Sequence, residues 1–251
     1  NILLPDSLSA THSLAEAIDS TDLLLLTVPS HAMHPILELL GPHLSDPLPV
    51  TIVTKGIAED SLHLMSTVVE SVLPSSWHPY LTVLSGPSFA NEVCQGKPTT
   101  ILLAGRTIDL VTQLQQVFLS PQFRVYAGQD IIGAQIGGAL KNVMAIASGI
   151  VDGLDLGFNT RAALITRGLA EMIRLGVAMG AEVSTMYGLS GLGDLVLTCT
   201  GSLSRNYSVG LKLGRGSGLD EILSHMTTVA EGIRTTRAAK GLSQKHKIEM
   251  P

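Results

Sequence analysis

Residues 23–30 read Leu23-Leu24-Leu25-Leu26-Thr27-Val28-Pro29-Ser30, an apolar run broken only by Thr27 and stopped by a proline. A strand with one wet face alternates apolar and polar side chains. A run this continuous suits a strand covered on both faces, as in a parallel sheet with helices above and below it. An amphipathic segment follows as far as Leu40, and the unit then repeats. Residues 50–54 form the next strand-like run, and helical spacing follows through Leu62, Met65, Val68 and Val72. Residues 81–84, 100–103 and 123–126 continue the series, with 110–118 helical between the last two. Alternating strands and helices predict an open, doubly wound, mostly parallel α/β sheet.

The rhythm changes near residue 131. Helical patterns cover 134–151, 161–179 and 231–240, residues 188–193 read as a glycine-rich turn between helices, and β-branched runs disappear. The expected organisation is therefore a sheet domain over 1–132 and an all-helical domain over 133–251. A nucleotide-binding sheet is expected to open with a strand and a glycine-rich turn whose N–H groups meet a pyrophosphate. No G-x-G-x-x-G follows a strand here; the nearest look-alike, at 188–193, lies between helices. With Asn1-Ile2-Leu3-Leu4-Pro5 at one end and Glu249-Met250-Pro251 at the other, both domains read as incomplete at their outer ends.

Composition narrows the function. The chain has 251 residues, 45% hydrophobic and 15% charged, and its mean hydropathy of +0.35 places it with globular chains. No unbroken apolar run approaches the roughly 18 residues of a membrane span, and no charged segment followed by an apolar core suggests export. The net charge of −5 offers no basic face for nucleic acid, so an anionic substrate needs locally placed cations. Cys94 and Cys199 are too few and too far apart for a disulfide framework or a metal quartet, and read as two buried thiols of a cytosolic protein.

Four clusters carry possible chemistry. Thr54-Lys55-Gly56 closes a strand, where ligands of open α/β sheets bind, so Lys55 either meets a ligand or is a solvated turn lysine. Ser85-Gly86-Pro87-Ser88-Phe89-Ala90 closes another strand; Gly86 permits close backbone approach and Ser88 offers a hydroxyl, or the stretch is an ordinary capped turn. Gly137-Gly138-Ala139-Leu140-Lys141-Asn142-Val143 lies inside a helical pattern. Glycine there costs about 1 kcal/mol relative to alanine, which points to something packing closely against it. Lys141 either snorkels to solvent or is held with a lowered pKa for proton transfer. Finally, Gly193-Asp194-Leu195 precedes Ser204-Arg205-Asn206, where Ser204 reads as the N-cap of a helix running to Leu213. Arg205 in a first turn opposes the helix dipole unless an anion binds there; the alternative is a capped surface helix.

In this order and spacing, these clusters resemble bacterial NAD(P)-dependent glycerol-3-phosphate dehydrogenases, over essentially the whole chain. Val28-Pro29-Ser30, Phe158-Asn159-Thr160-Arg161, Thr166-Arg167-Gly168-Leu169 and the stretches 188–198 and 229–232 add to the likeness. The resemblance implies a Rossmann-like sheet domain followed by a helical substrate domain. It also implies a cytoplasmic enzyme, a possible homodimer, that interconverts sn-glycerol 3-phosphate and dihydroxyacetone phosphate and feeds glycerophospholipid synthesis. It makes Lys141 the proton acceptor and assigns substrate contacts to Lys55, Gly86, Ser88, Lys141, Asp194, Ser204, Arg205 and Asn206. Cofactor contacts fall to Lys55, Ala90, Arg205, Val229 and Glu231, and no metal is implied. The residues that choose between NAD and NADP in this family have no counterpart here. Other two-domain dehydrogenases, and a regulatory protein that has lost its cofactor site, are the rival readings. Ser204-Arg205-Asn206 and Thr54-Lys55-Gly56 argue against the first, the intact surroundings of Lys141 and Arg205 against the second.

Overall fold

The computed structural model describes residues 4–226 and 230–251. A short helix α1 (Leu14–Ile18), capped by Ser13, precedes β1 (Leu24–Leu26) and α2 (Met33–Leu40). Then come β2 (Val50–Ile52), α3 (Met65–Val72), β3 (Leu81–Ser85), α4 (Ala90–Cys94), β4 (Thr99–Gly105), α5 (Ile108–Phe118) and β5 (Phe123–Gly128). The strands lie side by side in chain order; β1–β2, β2–β3 and β4–β5 are parallel, and β3–β4 is antiparallel. This is the mostly parallel, Rossmann-like sheet expected, with one pair reversed.

Alternation along the strands builds two cores. Leu26, Ile52, Leu81, Val83 and Ala104 face Met33 and Leu37 of α2 and Met65 and Val69 of α3. Leu84, Ile101, Leu103 and Val125 face the other way, onto Val111 and Leu114 of α5. The first strand is shorter than its apolar run. Beyond Leu26 no strand partner takes up the backbone; instead the Thr54 hydroxyl donates to the Val28 carbonyl at 2.6 Å. The chain there turns into the sheet's ligand edge, and a side chain replaces the ladder.

The second half is helical: α6 (Ile131–Gly153), α7 (Gly157–Ala178), α8 (Val183–Tyr187), α9 (Asp194–Thr200), α10 (Arg205–Gly214), α11 (Leu219–Ser224) and α12 (Glu231–His246). Residues 189–193, expected as a turn, form a π-helical turn entering α9. The Asp130 carboxylate caps α6 by accepting from the Gly133 N–H at 2.7 Å. By length and composition α6 could cross a membrane, but 72% of that stretch is buried within the protein. Its first turn, Ile131 and Ala134, belongs to the core beneath the sheet, and Ile136, Ala139 and Leu140 belong to the helical core. Farther along, α6 and α10 cross at backbone contact. A methyl on Gly149 would lie 2.1 Å from the Tyr207 carbonyl oxygen, and one on Gly210 would lie 1.9 Å from that of Ile146. Cys199 is buried and its thiol is pushed up to about 12 by desolvation, whereas Cys94 is exposed, contrary to expectation, because α4 is a short helix with no buried residue.

Candidate active site

The carboxyl ends of the first strands face the helical half across a cleft of about 890 Å³. Two turns meet on the sheet side. Gly56 lies so close to Ser30 that a methyl would stand 2.7 Å from the Ser30 Cβ, which draws the turn after β2 against the turn after β1. Lys55 therefore reaches inward: its Nζ donates to the Gly86 carbonyl at 3.1 Å and to Asp194 Oδ2 at 2.6 Å. Gly86, at φ 149°, adopts a backbone conformation that side chains strain, and a methyl there would press Ile101 at 3.1 Å.

From the opposite side, α6 delivers Lys141. Its ammonium, with a side chain 8% exposed, donates to Asp194 Oδ1 at 2.7 Å and to Thr198 Oγ1 at 2.8 Å. The Thr198 hydroxyl in turn donates to the Asp194 carbonyl at 2.7 Å. Asp194, wholly buried at the start of α9, thus holds one ammonium on each carboxylate oxygen. The Lys141 pKa is lowered from 10.5 to about 8, first by burial and then by the positive charge of Lys55, while Asp194 pulls the other way. The glycines before Lys141 have the close neighbours their cost implied. Gly137 abuts the Ser190 carbonyl, and Gly138 abuts the Ser85 hydroxyl and the Lys55 stem.

The third wall is the start of α10. Ser204 caps it, its hydroxyl accepting from the Tyr207 N–H at 3.2 Å, and Arg205 stands exposed in the first turn over the cleft. Asn206 is buried, and its Oδ1 accepts from the Gly232 N–H at 3.0 Å, tying α12 to α10. At the mouth, Glu231 accepts from the Ser30 N–H at 3.2 Å, and burial raises its carboxyl pKa above the usual value.

Lys55, Ser88, Ala90, Lys141, Ser204, Arg205, Asn206 and Glu231 all line this one cleft. Gly86 and Asp194 stand behind the lining and touch it through Lys55 and Lys141. Val229 lies outside the described residues. Thr198, Asn142 and Phe89, to which the sequence assigned no contact, also line the cleft. For Thr198 a signal existed: it stands four residues after Asp194, on the same helix face. Among the described residues no three His, Cys, Asp or Glu side chains gather as metal ligands.

A doubly wound sheet whose strand ends meet a helical domain across two coupled lysines, an arginine and a helix N-terminus defines a two-domain, dinucleotide-dependent dehydrogenase. Comparison with known proteins narrows the class. The family described as NAD-dependent glycerol-3-phosphate dehydrogenase matches by its N-terminal part over residues 1–110 and by its C-terminal part over 130–251. Glycerol-3-phosphate dehydrogenases [NAD(P)+] of Koribacter versatilis and Geobacter metallireducens are 48% and 51% identical, over 99% of this chain and 74% of their own lengths. The 2.1 Å crystal structure of glycerol-3-phosphate dehydrogenase from Coxiella burnetii superposes with a TM-score of 0.95 at 40% identity, covering 100% of this chain and 76% of that one. The chain belongs to the NAD-dependent glycerol-3-phosphate dehydrogenase family.

Proposed function

We propose that this cleft interconverts sn-glycerol 3-phosphate and dihydroxyacetone phosphate, with Lys141 moving the proton at the C2 oxygen. The observation that carries the reading is the buried Lys141 ammonium, its pKa lowered to about 8, in a cleft that also holds Arg205 at a helix start. An ordinary lysine is a poor base near neutral pH; one at about 8 is a competent acid and base there. In oxidation the neutral amine takes the C2 hydroxyl proton; in reduction the ammonium returns it. Lys55 steadies the same oxygen and keeps the Lys141 pKa low. Asp194 aims both lysines, and Thr198 fixes the Lys141 rotamer. Arg205, with the free N–H groups of the α10 N-terminus, holds the phosphate.

A nicotinamide group, NAD or NADP, supplies or accepts the hydride when bound. The cleft has room for one beside Val28, Pro29, Ala90 and Glu231, so the residues present fit it. The division at 132/133, a role for Val229 beside the cofactor, a cytoplasmic location and a homodimer belong to the same reading; sedimentation of the purified protein tests the last. The product serves glycerophospholipid synthesis.

The deciding experiment compares Arg205→Ala on dihydroxyacetone phosphate and on unphosphorylated dihydroxyacetone, at saturating cofactor in the intact protein. An arginine–phosphate bond is worth about 1.5–3 kcal/mol, so kcat/KM for the phosphate ester is expected to fall by roughly one to two powers of ten. The unphosphorylated ketone loses much less. Equal losses on both would remove the phosphate assignment.

A further inference from the structure

We propose that Phe89 is the specificity-determining residue for substrate length, the wall that bounds the space between the proton-transfer group and the phosphate anchor. The proposal rests on the function proposed above and adds to it a residue and a selectivity.

The turn leaving β3 runs alongside α9. A methyl on Gly193, just ahead of α9, would lie 3.7 Å from the Pro87 ring, and one on Gly201, just behind it, 2.7 and 2.9 Å from Phe89 Cε2 and Cζ. Pro87 and Phe89 therefore bracket a helix of seven residues, about 10 Å long. The Phe89 ring edge rests on bare backbone at Gly201, where the sheet half and the helical half meet with no space for a side chain.

That contact has a defined place in the cleft. Gly201 stands three residues after Thr198, whose hydroxyl bonds the Lys141 ammonium, and its carbonyl accepts from the N–H of Ser204, the cap of the helix that presents Arg205. The ring thus touches the chain about one helical turn after the group beside Lys141. It also lies one turn of chain before Arg205. With the C2 oxygen anchored at Lys141 and the phosphate at Arg205, a ring that lines the same cleft is placed to bound the stretch of substrate that joins them. Among the apolar residues of the lining, which also include Val28, Pro29, Val53, Ala90 and Ala230, are Phe89 and Leu203. Neither offers a hydrogen bond, so what they supply is shape. An apolar wall discriminates one extra methylene by about 1–3 kcal/mol, roughly 10–200-fold.

The test uses dihydroxyacetone phosphate and its homologue with one methylene inserted between carbonyl and phosphate, 1-hydroxybutan-2-one 4-phosphate. In the intact protein, Phe89→Ala is expected to raise the ratio of kcat/KM, longer over shorter, by about tenfold or more, with Phe89→Leu between it and the parent. Should the alanine variant not fold, the leucine variant carries the comparison. A ratio that stays within about twofold of the parent in a folded variant overturns the proposal. So does a change confined to the KM of the cofactor, which would set the ring against the nicotinamide. Failure of the parent protein to turn over dihydroxyacetone phosphate at all would instead overturn the function itself, so the two failures are distinguishable.

Discussion

At the scale of single residues, the site is governed by one carboxylate shared between two ammoniums. Lys141→Met removes the proton carrier and is expected to lower kcat by about two to four powers of ten while the fold persists; near-normal turnover in a folded variant would exclude Lys141 from proton transfer. The neighbours act on its pKa in opposite directions. Lys55 lowers it, so Lys55→Ala should move the midpoint of the kcat–pH profile above about 8. Asp194 raises it, so Asp194→Asn should move that midpoint down. Profiles measured side by side test both signs, and a shared direction of shift would refute the arrangement. Asp194→Asn also leaves the buried Lys141 ammonium and the half-buried Lys55 without a counter-charge, an imbalance that typically costs about 3–5 kcal/mol for a buried pair and is readable in urea titrations. Because the folded pKa of Lys141 lies below its unfolded value, the unfolded chain binds more protons between about 8 and 10.5. Lys141 therefore penalises stability fully below that window, and the penalty is relieved as pH rises through it.

At the scale of elements, the crossing of α6 and α10 sets where Arg205 stands. Gly149 and Gly210 meet each other's backbone, and an added methyl has carbonyl oxygens as its nearest neighbours, which cannot rotate aside. Gly210→Ala should therefore push α10 outward, destabilise the protein by about 1–3 kcal/mol, and raise the KM of the phosphorylated substrate more than it lowers kcat. Unchanged KM with unchanged stability would show that the crossing tolerates a side chain. These glycines were not legible as contacts: Gly149 and Gly210 belong to different helices, and a sequence shows their cost but not their partner. What was legible followed from local chemistry. The strand cores at 50–52 and 81–85, the Ser204 cap and the burial of Lys141 all express periodicity, capping or the cost of an isolated charge. The strand ends were misjudged where Thr54 replaces the ladder, and the shared Asp194 went unseen because Lys55 lies 139 residues from it.

At the scale of the whole molecule, the sheet half and the helical half are bound into one body. The Gln135 side chain, buried on α6, accepts from the Ser66 N–H at 2.8 Å, so a polar bond joins α6 to α3. Arg237 of α12 pairs with Glu59 beyond β2, and Ala238 and Leu242 share a core with Ile57 and Leu64. Unfolding should accordingly be a single transition. Trp77, the one tryptophan, is buried in the core beneath the sheet, while most helix lies in the other half. Tryptophan fluorescence and far-ultraviolet circular dichroism should therefore give coincident urea curves, and separated midpoints would mean that the halves unfold independently. The joint on which this depends is α6, a rod of 23 residues, about 35 Å long, with Lys141 as its eleventh residue. A group at the fulcrum of a rod travels least when the two ends tip. The first turn of α6 is seated in the core beneath the sheet and its last turns are clamped against α10, so Lys141, between the two anchorages, keeps its aim.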